Sequence, residues 1–195
     1  RRLHLGVESG SERVLKLINK GETIDEFIRA NRMLADYPFV PLYLLMMGLP
    51  TETPAELGES VRLAAQLADE NPRADPSFNI YTPYPGTALY DAAVELGLKP
   101  PSRLPDWAQF NFRNVPRDCT WLDPEMKRLV ELLDFPLQFL SRNRFVTPYK
   151  KTNRLVVGLS RLYRPMAQYR ARNLDVRLPV EARLVRALGL FGRQD

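Results

Sequence analysis

Three short polar turns hold the residues best suited to chemistry in this sequence, at residues 6–11, 48–53 and 81–87. Each turn follows an apolar, strand-like run, and the first two lead directly into amphipathic helices. Glycine lets the backbone approach a ligand closely, and the carboxylates of Glu8 and Glu52 can bind hydroxyl or ammonium groups. Glu8 could instead cap the next helix or pair with a local arginine, and Glu52 could simply favour the helix dipole. Because α/β folds build sites in turns at the carboxyl ends of parallel strands, the three turns together predict one binding site.

The sequence contains one cysteine, Cys119, and one histidine, His4. So small a set can hardly form a metal site, and we interpret His4 as a structural side chain. A single cysteine allows no internal disulfide, which is typical of a protein in the reducing cytoplasm. No stretch approaches the ~18 consecutive apolar residues of a membrane span. The sequence opens on Arg1 without an initiator methionine, which predicts a piece of a longer protein.

The elements that must position the three turns can be predicted from hydrophobic patterns. Apolar runs predict strands over residues 3–7, 42–47 and 78–81, and the uninterrupted second run is typical of a strand buried on both faces. Capping residues predict three helix starts, after Ser11, Thr23 and Thr53. Strands that alternate with helices favour a parallel sheet, so we expect an α/β fold.

The sequence changes character after residue 97, where prolines and aromatic residues become frequent. Further helices are predicted over residues 124–142, interrupted at Pro136, and over residues 150–172, kinked at Pro165. Pro179 is expected to open a last helix. The helix over residues 150–172 is basic and amphipathic, with one apolar stripe formed by Leu155, Leu159, Leu162 and Met166.

Charge is distributed unevenly along the chain. Residues 1–100 contain 10 Lys and Arg against 14 Asp and Glu, whereas residues 142–195 contain 13 against 3. This basic tail has three interpretations: a solvated helical cap over the sheet, a peripheral contact with an anionic membrane, or a nucleic-acid contact. No RNA- or DNA-binding motif accompanies the charge, so a nucleic-acid partner is not expected.

Four motifs in order carry a family resemblance: Gly-Val-Glu-Ser-Gly-Ser, Leu-Ile-Asn-Lys-Gly, Gly-Leu-Pro-Thr-Glu-Thr and Tyr-Thr-Pro-Tyr-Pro-Gly-Thr-Ala-Leu-Tyr. Together they resemble the second half of a radical S-adenosylmethionine (radical SAM) core. The resemblance covers residues 1–97 and implies the fourth to sixth strands of a partial (β/α)6 TIM-like barrel. We expect residues 98–195 to form a loop-rich, then mostly α-helical C-terminal extension.

The resemblance implies cofactor contacts for eight residues: Glu8, Ser9, Met46, Gly48, Pro50, Glu52, Tyr81 and Thr82. Glu8 and Ser9 match positions that meet the ribose and methionine parts of S-adenosylmethionine. Met46 would lie against adenine, and the backbone at Tyr81 and Thr82 would line the adenine pocket.

The second turn matches the Gly-x-Pro-x-Glu ending of the family's fifth-strand motif at Gly48, Pro50 and Glu52. The glycine that usually lies four residues before Gly48 is Leu44 in this chain. The upstream half of that motif therefore departs from the family pattern.

The family's chemistry starts from a [4Fe–4S] cluster held by a Cys-x-x-x-Cys-x-x-Cys loop, since such clusters require thiolates. With one cysteine in this chain, the resemblance implies cluster ligands upstream of Arg1. The turns look most like the branch that carries a cobalamin-binding domain, whose members transfer methyl groups or catalyse oxidative cyclisation. We therefore expect a small-molecule or lipid-like substrate.

Two alternatives remain open for this sequence. The turns also resemble radical SAM methylthiotransferases that modify tRNA or a ribosomal protein, although those usually end in a small β-rich domain. From a different class, the chain could be a non-catalytic β/α scaffold with a basic docking tail. No residue can be assigned as the catalytic acid or base.

Overall fold

Three parallel strands, joined by helices, form the centre of the structure. The computed structural model describes residues 1–87, 89–110, 119–141 and 154–177. The strands lie in the order β1-β2-β3, with β1 at Arg2–Glu8, β2 at Val40–Met47 and β3 at Asp75–Ile80. The α-helices are α1 (Glu12–Leu17), α2 (Ile24–Leu34), α3 (Pro54–Glu70), α4 (Tyr90–Glu95), α5 (Pro124–Leu137) and α6 (Arg154–Arg172). A 3-10 helix spans Leu104–Gln109. The predicted α/β architecture, three β/α units of a partial barrel followed by a helical extension, is confirmed.

The helix starts follow the capping chemistry predicted from the sequence. Ser11 caps α1, and its side chain accepts a hydrogen bond from a backbone amide in the first turn. Thr23 with Glu26, and Thr53 with Glu56, form reciprocal capping boxes at α2 and α3. Both boxes satisfy backbone N–H groups that a helix leaves unpaired at its first turn. These caps place the polar turns directly between a strand and the next helix.

The prediction that β2 is buried on both faces is wrong. Its alternate residues, Pro41, Tyr43, Leu45 and Met47, are buried, whereas Val40, Leu42, Leu44 and Met46 are only half-buried. The first of these faces packs in one core with buried residues of α2, α3 and α5. We call the other the inner face; strand register places Gly6 beside Leu44 and Met46 beside Asn79 on it.

A buried polar link ties β2 to two helices behind the sheet. The Tyr43 hydroxyl donates a hydrogen bond to Asn31 Oδ1 at 2.8 Å, and Asn31 Nδ2 donates to the Leu67 carbonyl at 3.0 Å. Tyr43 and Asn31 are fully buried. Because buried polar groups are costly unless paired, this link specifies how α2 and α3 sit on the sheet.

The C-terminal extension packs on the β/α units. Helix α5 contacts β3, α3 and α6, and α6 also contacts α3. Pro136 lies in the last turn of α5, which ends one residue later, whereas α6 continues through Pro165. In its described part, the extension therefore covers helices rather than extending into solvent. The boundary at residues 97 and 98 stays a prediction.

Some predictions concern residues that lie outside the described ranges. They are the helix expected to begin at Pro179 and, within the basic tail, residues 142–153 and 178–195. Across the ranges that the structure describes, every helix is too short or too polar to pass through a bilayer.

Candidate functional site

A cavity of about 470 Å³ opens at the carboxyl ends of the three strands, on the inner face. It is lined by Glu8, Ile18, Met46, Asn79, Ile80, Tyr81, Thr82, Tyr84, Thr87 and Leu89. Four of the eight residues singled out by the sequence are among them: Glu8 from β1, Met46 from β2, and Tyr81 and Thr82 from the turn after β3. The lining combines one carboxylate and several hydroxyl and amide groups with apolar surface, which is typical of small-molecule sites.

Glu8 ends β1 in an unusual backbone conformation. Its φ is 66°, a left-handed value that non-glycine residues rarely adopt. The strand register shifts between Gly6 and Glu8, and a Cβ at Gly6 would collide with the Glu8 carboxylate. The carboxylate also lies 3.6 Å from Lys20 Nζ. Backbone strain of this kind clusters at functional sites, and here it turns an acid toward the cavity.

Lys20 was not assigned a role from the sequence, although it belongs to the Leu-Ile-Asn-Lys-Gly motif. It lies after α1, beyond Asn19, whose φ of 54° turns the chain back toward the strand ends. The Lys20 backbone N–H donates to the Leu15 carbonyl at 2.9 Å, which anchors this return. The loop thus brings an ammonium group beside Glu8, and the cavity wall carries a paired rather than an isolated acid.

The third turn contributes most of the hydroxyl groups. The Tyr81 backbone N–H donates to Met47 O at 2.9 Å and so continues the β3 pairing into the turn. Tyr81 OH and Thr87 Oγ1 lie 3.4 Å apart, and Thr87 Oγ1 donates to the Tyr84 carbonyl at 2.7 Å. Burial raises the pKa of Tyr81. Thr82 Oγ1 is buried without a hydrogen-bond partner in the described structure, so a cavity-lining hydroxyl is free for a ligand.

The second turn lies behind the cavity rather than on its wall. Gly48 has a φ of 76°, and its N–H donates to Glu52 Oε2 at 2.7 Å. The Leu49 N–H donates to the same oxygen at 3.3 Å. Burial raises the pKa of Glu52 to about 7, against the lowering effect of these two hydrogen bonds. Through these two hydrogen bonds, the Glu52 side chain stabilises the turn that follows Met46.

Trp121 links the extension to two of the three turns. Its Nε1–H donates to the Gly48 carbonyl at 2.8 Å, and its ring meets the edge of Tyr81 with centroids 6.4 Å apart at 87°. The sequence shows only that Trp121 belongs to an aromatic segment, which is a weak signal for such a contact. The extension therefore supports the site from behind.

Ser9 and Pro50 are both buried and do not line the cavity. Ser9 Oγ lies 3.2 Å from Ser60 Oγ and accepts from the Ser11 N–H at 3.1 Å. Its hydroxyl therefore joins the first turn to α3. Four of the eight residues line the cavity, and the other four lie in the turns around it. The cofactor roles of all eight stay predictions.

An ion pair connects the first turn to the second. Arg13 Nη2 donates to Glu56 Oε2 at 2.8 Å and to the Thr51 carbonyl at 2.9 Å. The guanidinium of Arg13 lowers the pKa of Glu56 to about 2. Within the described ranges no group of three or more His, Cys, Asp and Glu side chains could hold a metal ion, and Cys119 is buried.

Comparison with known proteins places this geometry in context. Residues 1–64 match the sequence pattern of the Radical SAM superfamily. An uncharacterized methyltransferase from Pyrococcus horikoshii is 28% identical over 154 residues, which make up 79% of this chain and 30% of that protein. The tRNA-2-methylthio-N(6)-dimethylallyladenosine synthases of Alkalilimnicola ehrlichii and Thermotoga petrophila are 35% and 32% identical over 88 and 90 residues. These alignments cover 44% and 45% of this chain, and 18% and 19% of the two synthases.

The chain thus spans less than a third of the length of these curated relatives. The alignment with the Pyrococcus horikoshii protein, at 154 residues, must extend into the C-terminal extension. The alignments with the two synthases are no longer than the β/α units alone.

Proposed function

This chain carries radical SAM sequence in residues 1–64 and is related to enzymes of that superfamily, and from this premise we propose that it forms the C-terminal part of such an enzyme. Its cavity would hold the ribose and adenine parts of S-adenosylmethionine. One observation carries the proposal: the cavity joins Glu8, Met46 and Thr82 at the carboxyl ends of three parallel strands, within and next to the matched residues.

The lining residues fit such a ligand chemically. The Glu8 carboxylate can accept hydrogen bonds from ribose hydroxyls or from an ammonium group, and such charge-assisted bonds are strong. Met46 offers a soft apolar surface for a flat aromatic base. The buried Thr82 hydroxyl has no partner among the described residues and supplies a hydrogen-bonding group inside the cavity. Asn79 adds a side-chain amide beside Met46.

The residues of this chain would bind and orient the cofactor rather than supply its electron. That electron would come from a reduced [4Fe–4S] cluster, whose thiolate ligands would belong to another part of the protein, since this sequence has one cysteine. The Lys20 ammonium, 3.6 Å from the Glu8 carboxylate, would hold that side chain in position before a ligand arrives. Tyr81, Tyr84 and Thr87 would close the adenine side against water through their shared hydrogen bonds.

Methyl transfer is the reaction type that the comparisons support best. The relative whose alignment reaches into the C-terminal extension is named a methyltransferase. We extend this to a small-molecule or lipid-like substrate in the cytoplasm, with oxidative cyclisation as the alternative outcome. Cobalamin, expected from the sequence resemblance, would bind elsewhere in the protein. The visible absorption spectrum of the purified full-length protein tests for it directly.

Methylthiolation of tRNA is the second candidate, supported by 35% identity to the Alkalilimnicola ehrlichii synthase over 88 residues. That alignment accounts for 44% of the chain, whereas the alignment with the Pyrococcus horikoshii protein accounts for 79%. A non-catalytic scaffold is the remaining alternative, and it predicts no affinity for the cofactor.

Calorimetric titration of the full-length protein with S-adenosylhomocysteine tests the proposal, because this analogue lacks the reactive sulfonium. We expect binding, and we expect Glu8→Gln to weaken it about tenfold to a hundredfold, the effect of losing a charge-assisted hydrogen bond. Glu131→Gln is the matched control, since Glu131 is exposed on α5 and distant in sequence from all three turns. Absence of binding by the unaltered protein would contradict the proposal and favour the scaffold.

A further inference from the structure

Helix α6 has one buried side and one exposed apolar side. Ala167 and Ala171 are fully buried on the side that packs against the rest of the structure. On the other side Leu162 is 80% exposed, Met166 58% and Tyr169 57%. The alanines, rather than Leu162 and Met166 of the stripe seen in the sequence, thus face the core. Large apolar side chains left in water at three consecutive turn positions call for an explanation.

The three exposed residues form a continuous stripe. Leu162, Met166 and Tyr169 are spaced by four and three residues, so they lie on one line along the helix surface. Tyrosine at the end of such a stripe combines an apolar ring with a hydroxyl that prefers water, which suits the boundary between apolar and polar surroundings.

Positive charge accompanies the stripe. Residues 154–177 contain six arginines and one acidic residue, Asp175; Arg170 is buried, Arg164 binds the Leu140 carbonyl and Arg177 pairs with Asp175. Arg161 and Arg172 are exposed and lie eleven residues apart, about three helical turns, so they border the same edge of the stripe. Arg172 also reaches Asp69 on α3 at 2.6 Å, which ties α6 to the β/α units while its apolar line faces outward.

We propose that α6 binds the surface of an anionic phospholipid membrane, with its axis parallel to the bilayer. Leu162, Met166 and Tyr169 would enter the boundary between headgroups and acyl chains, as amphipathic interfacial helices do. The arginines along the edge would contact lipid phosphates, because the guanidinium group matches phosphate geometry and its long stem lies easily on apolar surface. A nucleic acid would use the charge but not the apolar stripe. This proposal does not depend on the chemistry in the cavity.

Co-sedimentation of the full-length protein with vesicles tests the proposal. The vesicles contain phosphatidylcholine alone or an equal mixture with phosphatidylglycerol, at low and at high salt. We expect binding to the mixed vesicles that weakens with salt, since surface charge attraction is screened. The double variant Leu162→Gln with Met166→Gln should bind at least about tenfold more weakly, because two apolar side chains would no longer be transferred from water to the membrane.

The chain offers a matched control for that variant. Met33 is 68% exposed on α2 and Leu104 is 87% exposed in the 3-10 helix, so Met33→Gln with Leu104→Gln removes the same two residue types from other surfaces. This control should bind vesicles as the unaltered protein does. A Tyr169→Gln variant should weaken binding on its own, in the same direction as the double variant.

Several results would overturn the proposal. The unaltered protein could fail to bind mixed vesicles at low salt. The Leu162→Gln with Met166→Gln variant could bind as well as the unaltered protein, or the Met33→Gln with Leu104→Gln control could lose as much vesicle binding as that variant does. Binding to single-stranded RNA in place of vesicles would assign the charge to nucleic acid instead. A dimer in sedimentation velocity that the stripe variant dissociates would show that a second copy covers the stripe.

Discussion

Glu52 should make the stability of this protein fall as pH rises from about 4.5 to about 7. Glu52 is 5% exposed, and its Oε2 accepts hydrogen bonds from two backbone N–H groups at the turn after β2. Oε1 has no hydrogen-bond partner in the described structure, so ionisation of this group is poorly compensated. Burial accordingly raises the pKa of Glu52 from 4.5 to about 7.

The sign and the size of the effect follow from proton linkage. Because the folded protein holds the Glu52 proton more tightly than the unfolded chain, folding stability falls as pH rises from 4.5 to about 7 and is then level. The difference between these two pKa values corresponds to about 3 kcal/mol of unfolding free energy. Glu56 affects stability in a separate, lower pH range. Its pKa is lowered to about 2, so the stability that it contributes is present above pH 4.5 and is lost as pH falls toward 2.

Glu52→Gln isolates this effect, since a glutamine resembles the protonated acid. Its carbonyl oxygen can accept the Gly48 and Leu49 N–H groups, and its uncharged amide takes the place of Oε1. We expect urea unfolding followed by tryptophan fluorescence to show that the unaltered protein loses about 3 kcal/mol between pH 4.5 and 8. The variant should lose much less and be the more stable protein at pH 8.

Glu56→Gln serves as the comparison. It removes a nearby acid, in the first turn of α3, and the pKa of that acid is shifted in the opposite direction. This variant should keep the loss of stability above pH 4.5. Two results would refute the reasoning. One is a Glu52→Gln variant that is less stable than the unaltered protein at pH 8, and the other is an unfolding free energy that changes with pH in the same way in both proteins.

Two further substitutions examine how the turns are held. Gly10→Ala should lower the unfolding free energy by about 1–3 kcal/mol, measured by urea unfolding, because its Cβ would lie 2.6 Å from backbone atoms of both Glu59 and Ser60; an unchanged midpoint would contradict this packing. Trp121→Phe should cost about 1 kcal/mol and weaken S-adenosylhomocysteine binding in calorimetry, since its hydrogen bond to the second turn is lost. Trp107→Phe, which alters a half-buried tryptophan of the extension, should leave affinity unchanged, and an equal effect in both variants would argue against a positioning role for Trp121.

Local chemistry explains why much of the fold could be predicted. A capping box needs only two residues three apart, such as Thr23 and Glu26, and a strand needs only an apolar run between turn residues. The three strands and the starts of α1, α2 and α3 were therefore predictable. The burial of β2 could not be predicted, because an uninterrupted apolar run does not indicate how many faces of the strand the rest of the chain covers.

The candidate site divides in the same way. Order and composition of the three turns determined which segments gather at one edge of the sheet, because parallel strands place their carboxyl ends together. Backbone conformation and distant partners decided which side chains reach the cavity. Examples are the left-handed conformation of Glu8, the placement of Lys20 beside Glu8, and the hydrogen bond from Trp121 to the Gly48 carbonyl.

The sequence by itself thus determined the element types, their order and the positions of the polar turns, since those depend on neighbouring residues. Only the tertiary structure decided that Ser9 pairs with Ser60 while Glu8 faces the cavity, and that α6 buries its alanines and exposes Leu162. These outcomes depend on contacts between residues far apart in the chain. Such contacts are selected by the packing of the whole molecule, and no local pattern encodes them.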